Sequence, residues 1–150
     1  RSLRSIVVPA SVTTIGFSAF ERCLLGSISL PASITTIGQR AFQECTNLQS
    51  IVLPESVTTI GDNAFWECTS LQSVVLPTSL TTIGREAFEG CSSLQSIVVL
   101  ASVKKIGMEA FTRCSSLQCC FILTSMLNVN PRSLEGCKSI QYLRWFELSE

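Results

Sequence analysis

Leu48-Gln49-Ser50-Ile51-Val52-Leu53-Pro54-Glu55-Ser56-Val57-Thr58-Thr59-Ile60-Gly61-Asp62-Asn63-Ala64-Phe65-Trp66-Glu67-Cys68 is a phrase the chain uses repeatedly. It starts again at Leu71, Leu94 and Leu117, and earlier versions start at Leu3 and Leu25. Cys45, Cys68, Cys91, Cys114 and Cys137 follow one another at a constant interval, as do Phe42, Phe65, Phe88, Phe111 and then Leu134. A fixed period of this length marks a solenoid, in which one unit cannot bury its apolar face alone and stacks on its neighbours. We number the units 1 to 6 from their leucines. Unit 1 is shorter than the rest by a single position, having Cys23-Leu24-Leu25 where later units have Cys-x-x-Leu. The connecting loop is expected to absorb that deletion.

Within the quoted unit, Leu48 to Pro54 is β-rich and alternates. Side chains on a strand point to opposite faces in turn, so Ile51 and Leu53 are expected inward and Ser50 and Val52 outward. Proline lacks the N–H a strand needs and ends it. Val57 and Ile60 are both expected in the core; their spacing does not suit one ideal strand and reads as a bend with a short extended part. Ala64, Phe65 and Cys68 have the spacing of a short helical turn facing the core. Positive φ is expected at the repeating glycines Gly16, Gly38, Gly61, Gly84 and Gly107, and at Asn130, which takes the same place in unit 6.

These readings define an α/β repeat solenoid: a right-handed coil of about six turns, with a parallel β-sheet on one face and short helical turns on the other. At roughly 4.8 Å per strand, the array is about 30 Å long. Residues 1–139 form the solenoid; residues 140–150, with Tyr142, Trp145 and Phe146, form a degenerate partial repeat or C-terminal cap. The chain opens with Arg1-Ser2-Leu3, already where the link after a cysteine enters a strand. It is therefore expected to be a fragment or processed product of a longer array.

The recurring Leu-Pro, Ile-Gly, Ala-Phe and Cys elements resemble the BspA-like, or Treponema pallidum-type, leucine-rich repeats, from Leu3 to about Cys137. The resemblance implies a curved solenoid and a protein that is secreted or on the cell surface and binds other proteins. It brings no catalytic residues. The chain departs from the pattern at Leu100 and Leu123, which replace proline, at Leu134, which replaces phenylalanine, and from Ile140 onward.

Composition narrows the function further. There is no histidine, which removes Ser-His-Asp and Cys-His nucleophile pairs, histidine zinc sites and histidine general bases. Glu86 and Glu89 are neighbours on one turn and read as solvated. No GxGxxG or phosphate-binding loop occurs. Eleven basic residues balance 11 acidic ones without a basic stripe, and Lys104-Lys105 is the sole basic doublet, which argues against nucleic-acid binding. No apolar run approaches the roughly 18 residues of a membrane span. No cofactor or metal is expected: the eight cysteines include no CxxC, and six of them occupy one repeat position, reading as small buried hydrophobes with free thiols. Cys119 takes an outward position and is the thiol expected to be accessible.

The outward sheet positions form two rows. One runs through Ser50, Ser73, Ser96, Cys119 and Tyr142; the other runs through Val52, Val75, Val98, Phe121 and Arg144. Either strand propensity alone favours valine there, or the row is a docking face ending in an aromatic and an arginine. The expected function is a non-enzymatic protein-interaction scaffold that binds a protein partner through Ser50, Val52, Ser73, Val75, Ser96, Val98, Cys119, Phe121 and Arg144. The alternative is a structural subunit of a larger assembly. Gln49, Gln72, Gln95, Gln118 and Gln141 are expected to bond between coils through their side chains. Phe17, Trp66 and Met108 lie on the opposite side as a second contact surface or as single exposed apolar residues. The doublets Thr13-Thr14, Thr35-Thr36, Thr58-Thr59 and Thr81-Thr82 suit an extended edge.

Overall fold

The computed structural model describes residues 6–123, 131–135 and 140–143, with side chains described over 6–118 and 132–135. Asn130, Cys137, Arg144, Trp145 and Phe146 lie outside the described residues. Among the described residues ten strands occur in chain order: β1 (Thr14–Ile15), β2 (Thr36–Ile37), β3 (Ser50–Val52), β4 (Thr59–Ile60), β5 (Ser73–Val75), β6 (Thr82–Ile83), β7 (Ser96–Val99), β8 (Lys105–Ile106), β9 (Cys119–Leu123) and β10 (Ile140–Leu143). Each pairs in parallel with the matching strand one unit away, as stacked coils require.

A unit has three walls around its core. The first carries the alternating strand. Ile51 and Leu53 are buried there while Ser50 and Val52 face solvent, so the period-2 reading holds. Proline controls its length. β3 and β5, followed by Pro54 and Pro77, have three residues, whereas β7 and β9, with Leu100 and Leu123 in the proline place, run to four and five. The restored N–H and free φ let Val99 pair with Ile122.

The second wall contains the short extended part expected beside the bend, and it is regular from coil to coil. Its Thr-Ile pairs form a continuous five-stranded parallel sheet, β1-β2-β4-β6-β8, with Thr14, Thr36, Thr59, Thr82 and Lys105 in register. Val57 and Ile60 are both fully buried behind it. In units 2 to 4 the other threonine of the doublet bonds the preceding coil twice: Thr58 N–H and Oγ1, for example, both donate to the Thr35 carbonyl, at 2.9 and 3.4 Å.

The third wall is a run of tight turns in units 1 to 5, where short helical turns were expected; unit 6 does form a helical turn, the 3-10 helix Pro131–Leu134. Bonds within a unit, such as Ala64 N–H to Gly61 C=O, alternate with bonds to the next coil, such as Phe65 N–H to Ala87 C=O at 2.7 Å. The chain makes this zigzag with two left-handed residues per unit, one two places after the glycine and one just before the cysteine: Asn63 (φ 57°) and Glu67 (φ 54°) in unit 3. Gly90 takes the second place in unit 4, at φ 73°. The repeating glycines themselves are not left-handed, contrary to expectation. Their reason is proximity: a Cβ on Gly84 would lie 2.5 Å from the Gly61 carbonyl carbon and 2.6 Å from the Asp62 nitrogen. Coils approach too closely there for any side chain.

The core is a set of files, like over like. Phe20, Phe42, Phe65, Phe88 and Phe111 stack with ring centroids 5.1–5.4 Å apart and planes within 15°. Each such pair adds about 0.5–1.5 kcal/mol beyond the area it buries. Ile15, Ile37, Ile60, Ile83 and Ile106 form a second buried file, and Cys45, Cys68, Cys91 and Cys114 a third. The glutamine expectation is corrected. Coils are joined there by backbone bonds, such as Gln72 N–H to Gln49 C=O at 2.8 Å, while the Gln49, Gln72, Gln95 and Gln118 side chains are exposed. Amides already supplied by the backbone leave the side chains to water.

Candidate functional site

The outward row of the first wall exposes Val52 by 66%, Val75 by 56% and Val98 by 43%. Ser50, Ser73 and Ser96 run beside it, also exposed. Parallel register places Ser50 over Ser73 and Val52 over Val75, then Ser96 over Cys119 and Val98 over Phe121. The files therefore continue in the backbone to β9, although the side chains of Cys119 and Phe121 are outside the described set. Beyond β9 the register shifts. Cys120 faces Ile97, one full period back, whereas Ile140 faces Cys120 across a shorter stretch of chain. Gln141 thereby takes the place beside Phe121 that the period assigned to Arg144, and Tyr142 pairs with Ile122 instead of following Cys119. A strict period fails where the link into the last strand is shortened.

No outward position of this wall from Ser27 to Val98 is charged. Most ions lie instead on the turn wall, where several pair across coils: Arg22 with Glu44 at 3.0 Å, and Arg113 with Glu67 at 3.0 Å and Glu89 at 3.5 Å. Arg22 holds the Glu44 carboxyl below its ordinary range through their hydrogen bond. Carboxylate oxygens of Glu86, Glu89 and Glu109 come within 4.8 Å of one another. Glu86 is engaged by Arg85 at 2.6 Å and by the Asn63 amide at 2.8 Å, and Glu89 by Arg113, so the cluster works as part of the ionic lattice. On the same side Phe17 is 66% exposed beneath the Arg40 guanidinium, 5.9 Å from its ring centroid, and Met108 is 38% exposed; the two sit four coils apart and form no common patch.

The thiols are structural. Cys45, Cys68 and Cys91 carry free thiols and have no exposed surface; Cys114 is equally buried, and Cys23 is partly exposed. Each buried Sγ donates to the phenylalanine carbonyl of the preceding coil: Cys45 to Phe20 at 2.9 Å, Cys68 to Phe42 at 3.0 Å, Cys91 to Phe65 at 3.2 Å and Cys114 to Phe88 at 3.1 Å. Sequence reasoning placed these residues but missed the bond, because a cysteine in a core pattern gives no sign of what its S–H meets. Burial pushes the Cys45 thiol up to about 12 and raises Cys68 and Cys91 further in the same direction. They stay protonated at any physiological pH.

Three-walled coils, an uncharged strand face and a phenylalanine stack define a leucine-rich-repeat solenoid. The chain belongs to the BspA-type leucine-rich repeat family, whose model matches in six copies over residues 1–118 and 58–147. Such repeats generally serve as protein-interaction modules. The crystal structure of a Treponema pallidum leucine-rich repeat protein superposes with a TM-score of 0.81 at 33% identity, over 93% of this chain and 68% of that one. A leucine-rich repeat protein from Bacteroides ovatus gives 0.73 at 36% identity, over 81% of this chain and 34% of its own. The chain thus spans about a third of that relative. A leucine-rich cell surface protein of Faecalibacterium prausnitzii shares the fold, with a TM-score of 0.56 at 23% identity over 89% of this chain and 52% of that one. No curated protein matches the sequence. No helix among the described residues is long and apolar enough to cross a membrane.

Proposed function

We propose that the chain is a non-enzymatic scaffold that docks a protein partner on its first wall. The contact is centred on Val52, Val75 and Val98, flanked by Ser50, Ser73 and Ser96, and continued along β9 by Cys119 and Phe121. One observation carries the reading: an unbroken file of exposed valines on a face without charge, in a protein whose Arg22, Arg85 and Arg113 ion pairs all lie on the turn wall. Apolar contact area on a polar-rimmed surface marks association sites. The setting we propose is a secreted or surface-attached adhesin-type module.

The test uses a partner recovered by pull-down and mass spectrometry and then purified. Val75→Glu with Val98→Glu places two charges on exposed strand positions, so circular dichroism should show the fold retained. Binding should weaken at least about 30-fold, the equivalent of about 2 kcal/mol lost at a buried contact centre. A folded double variant that binds as well as wild type removes this face from the reading. Because the face lacks ions, affinity should change by no more than about twofold between low and high salt, unlike a charge-steered interface. The second reading, a structural subunit, rests on the same apolar file; co-migration with a stable assembly through gel filtration would favour it.

A further inference from the structure

We propose that the solenoid contains two hinges, between units 2 and 3 and between units 4 and 5, at which the first wall opens and closes while the other two walls stay joined. The first wall is not one sheet. β3 pairs with β5, and β7 pairs with β9 and β10, but no strand pairing joins residues 27–30 to β3 or joins β5 to β7 among the described residues. The link bond before each strand shows the same division. Gln72 to Gln49 is 2.8 Å inside a paired block, whereas Gln49 to Gly26 is 3.2 Å and Gln95 to Gln72 is 3.3 Å at the seams.

Burial is uneven across each seam. Ile28 (8%) on one lip of the first, and Val74 (8%) and Leu76 (7%) on one lip of the second, are more exposed than Ile51 and Leu53 (2% each) and Val99 (1%) on the facing lips. Grooves of about 540 and 270 Å³ lie over the two seams. Across the second, the Ser102 hydroxyl has no partner, although Ser33, Ser56 and Ser79 at the same repeat position each bond the preceding coil.

The other walls are intact at both places. Phe42 N–H meets Ala64 C=O at 2.8 Å and Phe88 N–H meets Ala110 C=O at 2.8 Å; β2 pairs with β4, and β6 with β8. Full bonding on two sides, and only the long link bond on the third, make a hinge whose axis follows the bonded walls. The sequence supplies causes. The deletion at Cys23–Leu25 shortens the link into unit 2 by up to about 3.5 Å, so that loop does not absorb it without cost. At the second seam Val74 stands where Ile51 and Ile97 stand, one methyl short, and Leu100 lets β7 bind further along β9.

Hinge bending stands or falls separately from partner docking. In a Cys23→Ser, Cys119→Ser background, spin labels are placed on three equivalent pairs: Ser27→Cys with Ser50→Cys, Ser50→Cys with Ser73→Cys, and Ser73→Cys with Ser96→Cys. Dipolar line broadening should show a wider spread of distances for the first and third pairs than for the second. Hydrogen exchange on the unlabelled wild-type chain provides the second measurement, with residues 73–76 exchanging at least about tenfold faster than residues 82–84. Equal spreads in the three pairs, or equal protection of the two segments, overturns the proposal.

Discussion

Gly84→Ala should destabilise the protein by about 3 kcal/mol or more, while Gly16→Ala at the same repeat position should change stability by less than about 0.5 kcal/mol. The added Cβ in coil 4 meets the Gly61 carbonyl carbon at 2.5 Å and the Asp62 nitrogen at 2.6 Å. Both are backbone, held by bonds to the coils on either side, so relief requires moving a coil. At Gly16 nothing lies within 4 Å. Were the glycines required by a left-handed backbone, both substitutions would carry the same penalty of about 1–2 kcal/mol. Urea unfolding of the two single variants separates the explanations, and equal losses would sink the close-approach account.

Raising the pH through the alkaline range should unfold the protein through its buried thiols. An unfolded cysteine loses its proton near pH ~8.5. In the folded chain burial holds the proton on Cys68 and Cys91, and on Cys45 up to about 12. Above the unfolded value the unfolded state therefore binds fewer protons than the folded state, and unfolding becomes easier as pH rises. The stabilising contribution is complete below that value and is lost progressively towards the folded pKa. Cys68 and Cys91 alone contribute a slope of about 3 kcal/mol per pH unit once the unfolded thiols are ionised. Against a typical stability of about 5–15 kcal/mol, a few units suffice to unfold the chain. Urea midpoints measured at pH 8, 9 and 10 provide the check, and Cys68→Ala with Cys91→Ala should flatten the dependence. A wild-type midpoint that does not move over this range would contradict it. A smaller effect of opposite sign is expected at the second seam, where Val74→Ile restores the missing methyl and should add about 0.5–1 kcal/mol, read as a rise in the urea midpoint.

The period carried most of the fold. Because units stack in register, a constant interval places Phe65 over Phe42 and Cys68 over Cys45 without any knowledge of coordinates, and alternation along Leu48–Pro54 separates Ile51 from Val52. What it did not carry has physical causes. A repeated glycine says that a Cβ is excluded but not whether the excluding atoms belong to its own backbone or to the next coil. Most residues that are left-handed, such as Arg40, Glu67 and Glu86, are ordinary polar types, so composition does not flag them. Repeated glutamines look like a bonding ladder because the backbone that does the bonding has no letter of its own. At the candidate face the sequence identified which side chains point outward over Val52 to Val98. It did not reveal that the wall is segmented, since hydrogen bonds between coils depend on link length as well as on period.

The phenylalanine stack also bears on how such a protein changes over generations. Phe65 meets Phe42 on one side at 5.2 Å and Phe88 on the other at 5.1 Å, nearly the same environment twice. An in-frame gain or loss of one whole period in the gene would rejoin ring to ring and thiol to carbonyl, leaving no unmatched surface inside. Reach thereby becomes heritable separately from chemistry, with copy number setting the length of the array and point changes in the valine column altering its exposed face without disturbing the core.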